Sequence, residues 1–377
     1  MRGPDVFVVA DNVFTPLGKT TAENFANLKR NISAVKEHRD ATISKLPFYA
    51  ALFDKDESFV KSNTDHTKFE QLLIASIEDA LSQSGLSASD KKTVLIISST
   101  KGNISLLETE KNSAGLQKRI ALSTSAKLVA DYLGFVNQPV IISNACVSGV
   151  MAIITGMRLL RTGQYENAAI VGADVISEFI LSGFQSFQAL SPQVCTPFDK
   201  SRDGLNLGEG AGTIILSSNE KYDKNIKVKG GGISNDANHI SGPSRTGQEL
   251  SYAIDLSIKD AGITASDIDF ISAHGTATVY NDEMEANAIA LSGLDTVPLN
   301  SLKGYYGHTL GAAGLIESII SMHSLKEGLF LPTPGFEEIG VTQPVNVIAS
   351  QLNLEANNIL KTASGFGGCN AAVVFGK

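Results

Sequence analysis

Three reactive side chains stand where short apolar runs end: Cys146, His274 and His308. Cys146 follows Val140-Ile141-Ile142 and the small residues Ser143-Asn144-Ala145, and the largely apolar stretch from about Val147 to Leu160 reads as a helix. Strand, tight turn and helix put the thiol at a helix start, where unpaired N–H groups and the positive end of the dipole favour a thiolate. A buried structural cysteine is the alternative, because free cysteine is among the most buried residue types. His274 directly follows the strand-like Phe270-Ile271-Ser272-Ala273, and His308 lies in Gly304-Tyr305-Tyr306-Gly307-His308-Thr309-Leu310-Gly311. Flanking glycines let the backbone turn tightly and a substrate approach. Strand carboxyl ends are where buried α/β sheets bind ligands. A thiol between two imidazoles suggests acyl transfer, with one imidazole orienting or activating the nucleophile and both offering donors to a developing enolate oxygen. The alternative makes them ordinary loop histidines. A zinc site is the weaker reading, since residues scattered from 146 to 308 fit no compact ligand motif; no metal is expected.

Two glycine-rich stretches need separate readings. Gly365-Phe366-Gly367-Gly368-Cys369-Asn370 precedes the terminal strand; its N–H groups could serve an oxyanion and Phe366 could cover the thiol. A tight connection with a core phenylalanine is the plain alternative. Asn206-Leu207-Gly208-Glu209-Gly210-Ala211-Gly212 superficially suggests a dinucleotide loop, but it leads into a strand rather than a helix, which rejects that reading.

The elements that must position these residues alternate. Strands are expected at Val6–Ala10, Thr93–Ile97, Val140–Ile142, Ala168–Ala173, Thr213–Leu216, Ile226–Val228, Phe270–Ala273 and Ala371–Phe375. Helices are expected from near Thr20, over Phe69–Leu81, Ser125–Tyr132, Leu250–Ala261 and Asp282–Leu291, and after the Gly311–Gly314 turn through Leu325. Asp11–Gly18 reads as turn and loop, and residues 31–68 show no clear period. This is an α/β pattern with mainly buried sheets. Gly85-Leu86-Ser87-Ala88-Ser89-Asp90 before one strand is echoed by Gly262-Ile263-Thr264-Ala265-Ser266-Asp267 before another. The echo implies two similar halves, residues 1–222 and 223–377, with a site between them.

Composition bounds the classes. A chain of 377 residues, 43% hydrophobic and 19% charged, buries a large core. No apolar run reaches the roughly 18 residues of a membrane span, and the amino terminus lacks a signal-peptide apolar core. Three widely spaced cysteines are no disulfide framework, so a reducing cytoplasm is expected. A net charge of −8 argues against a general nucleic-acid binder but leaves room for a local basic patch that docks an acidic carrier protein.

Over nearly its whole length the chain resembles the β-ketoacyl-acyl-carrier-protein synthases of the elongating, Cys-His-His type, within the thiolase superfamily. The likeness rests on Ala145-Cys146, Pro197-Phe198-Asp199 with Arg202-Asp203-Gly204, and Gly208-Glu209-Gly210-Ala211-Gly212. It continues through Ser234, Asp236-Ala237 and His239, then Ala273-His274-Gly275-Thr276 and Asp282 with Glu285. Lys303 with Gly307-His308, Gly311-Ala312-Ala313-Gly314, Glu317, and Gly365-Phe366-Gly367-Gly368 with Asn370 complete it.

The resemblance implies a five-layered αβαβα fold of two similar halves. It implies that Cys146 takes an acyl group from the carrier's phosphopantetheine thioester, and that His274 and His308 promote decarboxylation of a malonyl donor and hold the enolate oxygen. Backbone N–H groups of Cys146 and Phe366 would form the oxyanion hole, Lys303 would pair with Glu317, and Thr276 and Thr278 would contact the pantetheine arm. No metal or redox cofactor is implied; the partners are acyl-carrier protein and, in most members, a second identical subunit, with a heterodimer as the variant. Histidine at the third position favours a carrier-bound substrate over the CoA substrates of thiolases. Two alternatives stay open, a thioester transferase or hydrolase without condensation and a non-catalytic partner subunit. The chain also departs from the family: it is short before Cys146, Val147 is bulky, and Cys369 replaces the usual threonine. These departures suggest a specialised polyketide or polyene synthase over the housekeeping fatty-acid enzyme. His38, His66, His323 and Cys195 lie outside the motifs, and His239 is read as structural or pocket wall.

Overall fold

The computed structural model describes residues 3–54, 59, 65–237 and 242–377, which leaves His239 outside the described residues. Ten strands form the main sheet system: β1 Phe7–Phe14, β2 Thr93–Ser98, β3 Val140–Ile142, β4 Asn167–Asp174, β5 Gly210–Ser217, β6 Lys227–Asn235, β7 Phe270–Ser272, β8 Leu299–Asn300, β9 Asn358–Gly365 and β10 Cys369–Gly376. Their hydrogen-bonded order is β8-β7-β9-β10-β6-β1-β5-β4-β2-β3. Read outward from the centre, β1-β5-β4-β2-β3 repeats as β6-β10-β9-β7-β8. The sequence echo sits at matching points of this repeat. Gly85 and Gly262, both at φ 68°, close the helices Lys68–Ser84 and Gln248–Ala261 just ahead of β2 and β7.

Side-chain alternation along the strands sorts the core into layers. Val94 and Ile96 of β2 join a central cluster, while Leu95 and Ile97 join an outer one. In β10, Ala371, Val373 and Phe375 face the centre, and Ala372 and Val374 face the other outer cluster. Helices Ser148–Arg161 and Ala313–Glu327 fill the middle, each touching strands of both halves. Lys68–Ser84 covers one outer face and Gln248–Ala261 the other. The result is the thiolase-like αβαβα stack of two similar halves.

The middle layer fixes the site. The central helix Ala313–Glu327 buries Leu315, Ile316, Ile319 and Ile320, each stabilising the fold by roughly 1.5–3 kcal/mol. It meets helix Ser148–Arg161 backbone to backbone. A Cβ on Gly149 would stand 2.8 Å from Leu315 N, and one on Gly314 would stand 2.6 Å from Val150 N. Only glycine lets the two helix starts approach so closely, and those starts follow Cys146 and His308.

Several elements differ from the sequence reading. Residues 11–14 continue β1 instead of turning, because they pair with Ile214–Ala211 of β5. Within that segment Asp11 meets His323 Nε2 at 2.9 Å, and Asn12 Nδ2 donates to Asp79 Oδ2 at 2.7 Å. Strand β9 and helices Leu106–Thr109, Ala114–Ile120 and Glu178–Ser186 had no counterpart in the periodicity. Part of the segment without clear period forms a hairpin, Lys36–His38 with Phe48–Ala51, that pairs with Leu207–Gly208.

Candidate active site

Cys146 sits in the turn between β3 and helix Ser148–Arg161. Ser148 braces that turn twice: its Oγ accepts from Asn144 N at 2.8 Å and donates to Ala145 O at 2.6 Å. Ala145 is forced to φ 44°, the left-handed region that a Cβ disfavours. The cysteine is 9% exposed. Burial pushes its thiol up to about 11, outweighing the downward pull of Lys303. The thiolate expected at the helix start is therefore corrected. In the resting site the sulfur carries its proton, because withdrawal from water outweighs the favourable field.

His274 stands at the end of β7, held from several sides. Its N–H donates to Glu285 Oε1 at 2.8 Å, and Gly275 N donates to Glu285 Oε2 at 2.7 Å. Asp282 accepts from Thr276 N and Phe198 N, both at 2.8 Å, and burial pushes its carboxyl up to about 6. Lys303 Nζ donates to His274 O at 2.6 Å and stands 3.5 Å from His274 Nδ1. An ammonium only donates, so Nδ1 is the accepting nitrogen and Nε2 carries the hydrogen.

His308 packs edge-on against His274, with ring centroids 5.3 Å apart at 81°. Its backbone is clamped, N to Asn206 O at 2.6 Å and O to Gly208 N at 3.0 Å. Both ring nitrogens are buried, without a hydrogen-bond partner among the described residues. Burial first, then Lys303 and other neighbouring cations, hold both imidazoles well below the usual histidine range. They are neutral at pH 7.

Lys303 Nζ also meets Glu317 Oε1 at 2.7 Å, and Lys361 Nζ meets Oε2 at 2.6 Å. Burial pulls Glu317 upward, but the two lysines outweigh it, so the carboxylate stays ionised.

One cavity of about 430 Å³ is lined by Cys146, His274, His308, Thr276, Thr278 and Phe366. The two threonine hydroxyls are 2.9 Å apart. Phe366 is 40% exposed and packs between Phe184, at 6.0 Å, and Phe187, at 5.3 Å. Its backbone belongs to the glycine turn, where a Cβ on Gly365 would lie 3.0 Å from Cys146 N. Cys146, His274, His308, Thr276 and Thr278 thus share one space, with Lys303 and Glu317 behind it.

Other residues fall elsewhere. His38 binds Ala50 O, and His66 lies 3.6 Å from Glu70. Cys195 is buried, its thiol pushed up to about 12 by that burial. The stretch once resembling a dinucleotide loop is strand, in Leu207–Gly208 and Gly210–Ser217. Among the described residues, no group of three or more His, Cys, Asp or Glu side chains is placed to hold a metal ion. Sequence reasoning missed Lys361, Thr362 and Asp174. Lys361 had a signal, a single charge within the otherwise uncharged Asn358–Gly365. Asp174, at the end of β4, had none in the local pattern.

The β-ketoacyl synthase N-terminal domain family matches residues 4–222 and the β-ketoacyl synthase C-terminal domain family matches residues 226–337. The chain is 30% identical over 407 aligned residues to 3-oxoacyl-(acyl-carrier-protein) synthase 2 of Vibrio harveyi, covering 99% of this chain and 98% of that protein. Among solved structures, the ishigamide ketosynthase/chain length factor superposes with TM-score 0.90 at 25% identity, over 100% of this chain and 99% of that one. A β-ketoacyl synthase from Burkholderia phymatum does so with TM-score 0.89 at 25% identity, over 99% of each. Matches across both halves and a full-length relative place the chain in the β-ketoacyl synthase family, as a condensing acyltransferase.

Proposed function

We propose that Cys146 carries the acyl chain and that His274 and His308 drive a decarboxylative Claisen condensation with malonyl-acyl-carrier protein. The supporting observation is the convergence of these three side chains on one cavity. Cys146 Sγ attacks the acyl thioester as its proton passes to a neighbouring neutral imidazole and on to the departing pantetheine thiolate. The N–H groups of Cys146 and Phe366 hold the tetrahedral oxyanion. Malonyl thioester then enters past Thr276 and Thr278. Donors on His274 Nε2 and His308 bind its carbonyl oxygen, and loss of carbon dioxide leaves the electron pair in an enolate. The enolate carbon attacks the Cys146 thioester; collapse expels the Cys146 thiolate, which takes a proton from solvent, and releases β-ketoacyl-carrier protein. Lys303 and Glu317 orient His274.

The cavity needs no group beyond the substrate's own phosphopantetheine for this sequence. The likeness to a ketosynthase/chain length factor supports pairing with a second subunit, either a copy of this chain or a partner that sets chain length. Among the described residues, no helix is long and apolar enough to cross a membrane, in keeping with work in the cytoplasm beside an acyl-carrier protein. The strand repeat supports a division near residues 222 and 223.

The test is incubation with acyl- and malonyl-carrier thioesters. Carbon dioxide release with an elongated β-keto product is the expected result. Cys146 acylation followed only by hydrolysis or transfer would favour the non-condensing reading, and no acylation at all would favour an idle partner subunit. Intact-mass detection of acylated Cys146 across carrier-bound chains then reads acyl length and saturation.

A further inference from the structure

Lys361 is a fully buried lysine outside every motif that carries the family resemblance. It lies on β9, in parallel register with Ser272 of β7. Its ammonium donates to Ala273 O at 2.9 Å and Ser272 O at 3.2 Å, and forms an ion pair with Glu317 Oε2 at 2.6 Å. Lys303, from the opposite side, takes His274 O and Glu317 Oε1. The two lysines thus bind three consecutive carbonyls, Ser272, Ala273 and His274, and share one carboxylate. Two buried cations on one anion leave a net positive charge directly behind the imidazole pair.

We propose that Lys361 is a positioning residue for the condensation, the second cation of a Lys303–Glu317–Lys361 bridge that fixes the strand end bearing His274 and charges the wall behind both imidazoles. This rests on the reading of His274 and His308 as the donors to the malonyl carbonyl. The titratable groups around them come from several packed elements, and Asp203 and Asp236 also line the cavity. Lys303 lies before the His308 loop, Glu317 is on the central helix, and Lys361 is on β9. Glu285 and Asp282, on helix Val279–Leu291, are engaged with backbone N–H groups, and Cys146 lies across the cavity. Burial and these lysines disfavour protonation of the imidazoles. Removing one lysine therefore eases protonation, and activity that requires neutral imidazoles is lost at a higher pH.

The experiment uses the full-length protein with malonyl- and acyl-carrier substrates, measuring carbon dioxide release from pH 4.5 to 8. Lys361→Met keeps an unbranched side chain, one atom shorter and uncharged, and leaves Glu317 paired with Lys303. Its acidic limb should rise by about one pH unit relative to the parent. Lys361→Met combined with Glu317→Gln removes one charge of each sign, restoring the net charge, and should return the limb toward the parent position. Circular dichroism and thermal melting confirm that each variant is folded. An unmoved limb in the single variant, whether activity is unchanged or uniformly reduced at every pH, overturns the proposal. Loss of folding in both variants also overturns it, by making Lys361 a residue of stability alone. A parent enzyme that releases no carbon dioxide instead overturns the condensation reading, and the two failures are thereby distinguished.

Discussion

The two halves repeat one strand order but secure the site differently. In the amino-terminal half, Asp174 at the end of β4 accepts Ser99 Oγ at 2.7 Å, Thr100 N at 3.0 Å and Gly311 N at 2.7 Å. One carboxylate thereby ties the end of β2 to the loop of the other half that carries His308. In the carboxy-terminal half, the matching strand end is held by two lysines and a glutamate. The first half offers a rigid seat for a thiol that burial keeps protonated. The second concentrates the charge and the imidazoles. In the proposed mechanism the duplicated scaffold thus holds the nucleophile in one copy and the groups that move protons and stabilise an enolate in the other.

Cys146→Ala separates the two roles most sharply. Elongation should fall more than about 10³-fold, and intact-mass analysis should find no acyl adduct at position 146. Malonyl decarboxylation should persist, because the imidazoles are untouched. Equal loss of both reactions would mean that decarboxylation depends on the seat as well.

His308→Ala makes the opposite break. Among the described residues neither nitrogen of this buried ring has a hydrogen-bond partner, which leaves the ring free to meet a substrate oxygen. Its removal should lower decarboxylation about 10²–10³-fold. Cys146 acylation, followed by rapid-quench mass analysis, should slow much less. A larger effect on acylation would make His308 the group that takes the thiol proton.

How far this division could be read from sequence follows the same line. Cys146, His274 and His308 were legible because each ends an apolar run beside small residues, and the resemblance joined them. The layered fold was legible from alternation, and the repeat from two short glycine-led segments. Strand β9 was not, since Lys361 interrupts its apolar pattern and only the tertiary pairing with β7 and β10 compensates the buried charge. β6 extends beyond the expected Ile226–Val228 through Gly230, Gly231 and Gly232, where helix Gln248–Ala261 lies against it. The protonation of Cys146 could not be foreseen either, because it depends on burial by distant segments.

An ion pair away from the cavity gives a stability counterpart. Glu70, fully buried on helix Lys68–Ser84, faces Arg119 Nη2 at 2.6 Å and Asn103 Nδ2 at 3.0 Å. Burial pulls its carboxyl upward, but Arg119, Ser125 and Thr67 outweigh that and leave it at about 2. Because this lies below the unfolded value of about 4.3, the stabilisation is complete above that value and is lost as pH falls toward 2. Glu70→Gln should cost about 3 kcal/mol at pH 7, measured by urea unfolding. The gap between parent and variant should shrink between pH 4.5 and pH 2, while the ratio of acylation to decarboxylation stays fixed. A changed ratio would bring this pair into the chemistry.

The smallest expected effect tests the seam between the halves. Cys369 opens β10 and pairs with Gly365 across the glycine turn. Its thiol donates to Asn144 Oδ1 at 2.9 Å, and Asn235 Nδ2 approaches its sulfur at 3.5 Å. Asn144 belongs to the Cys146 turn, so this contact links the two loops whose N–H groups are proposed to meet at one oxyanion. Cys369→Ala removes the donor, and a hydrogen bond of about 1 kcal/mol corresponds to roughly five-fold slower Cys146 acylation. Cys369→Thr, the residue usual in the family, restores a hydroxyl donor and should recover most of that rate. Decarboxylation, proposed to depend on the imidazoles, should be unchanged in both variants. If the alanine variant acylates at the parent rate, the link between the loops does not align the oxyanion donors, and the close contact of Gly149 with Gly314 is sufficient to register one half on the other.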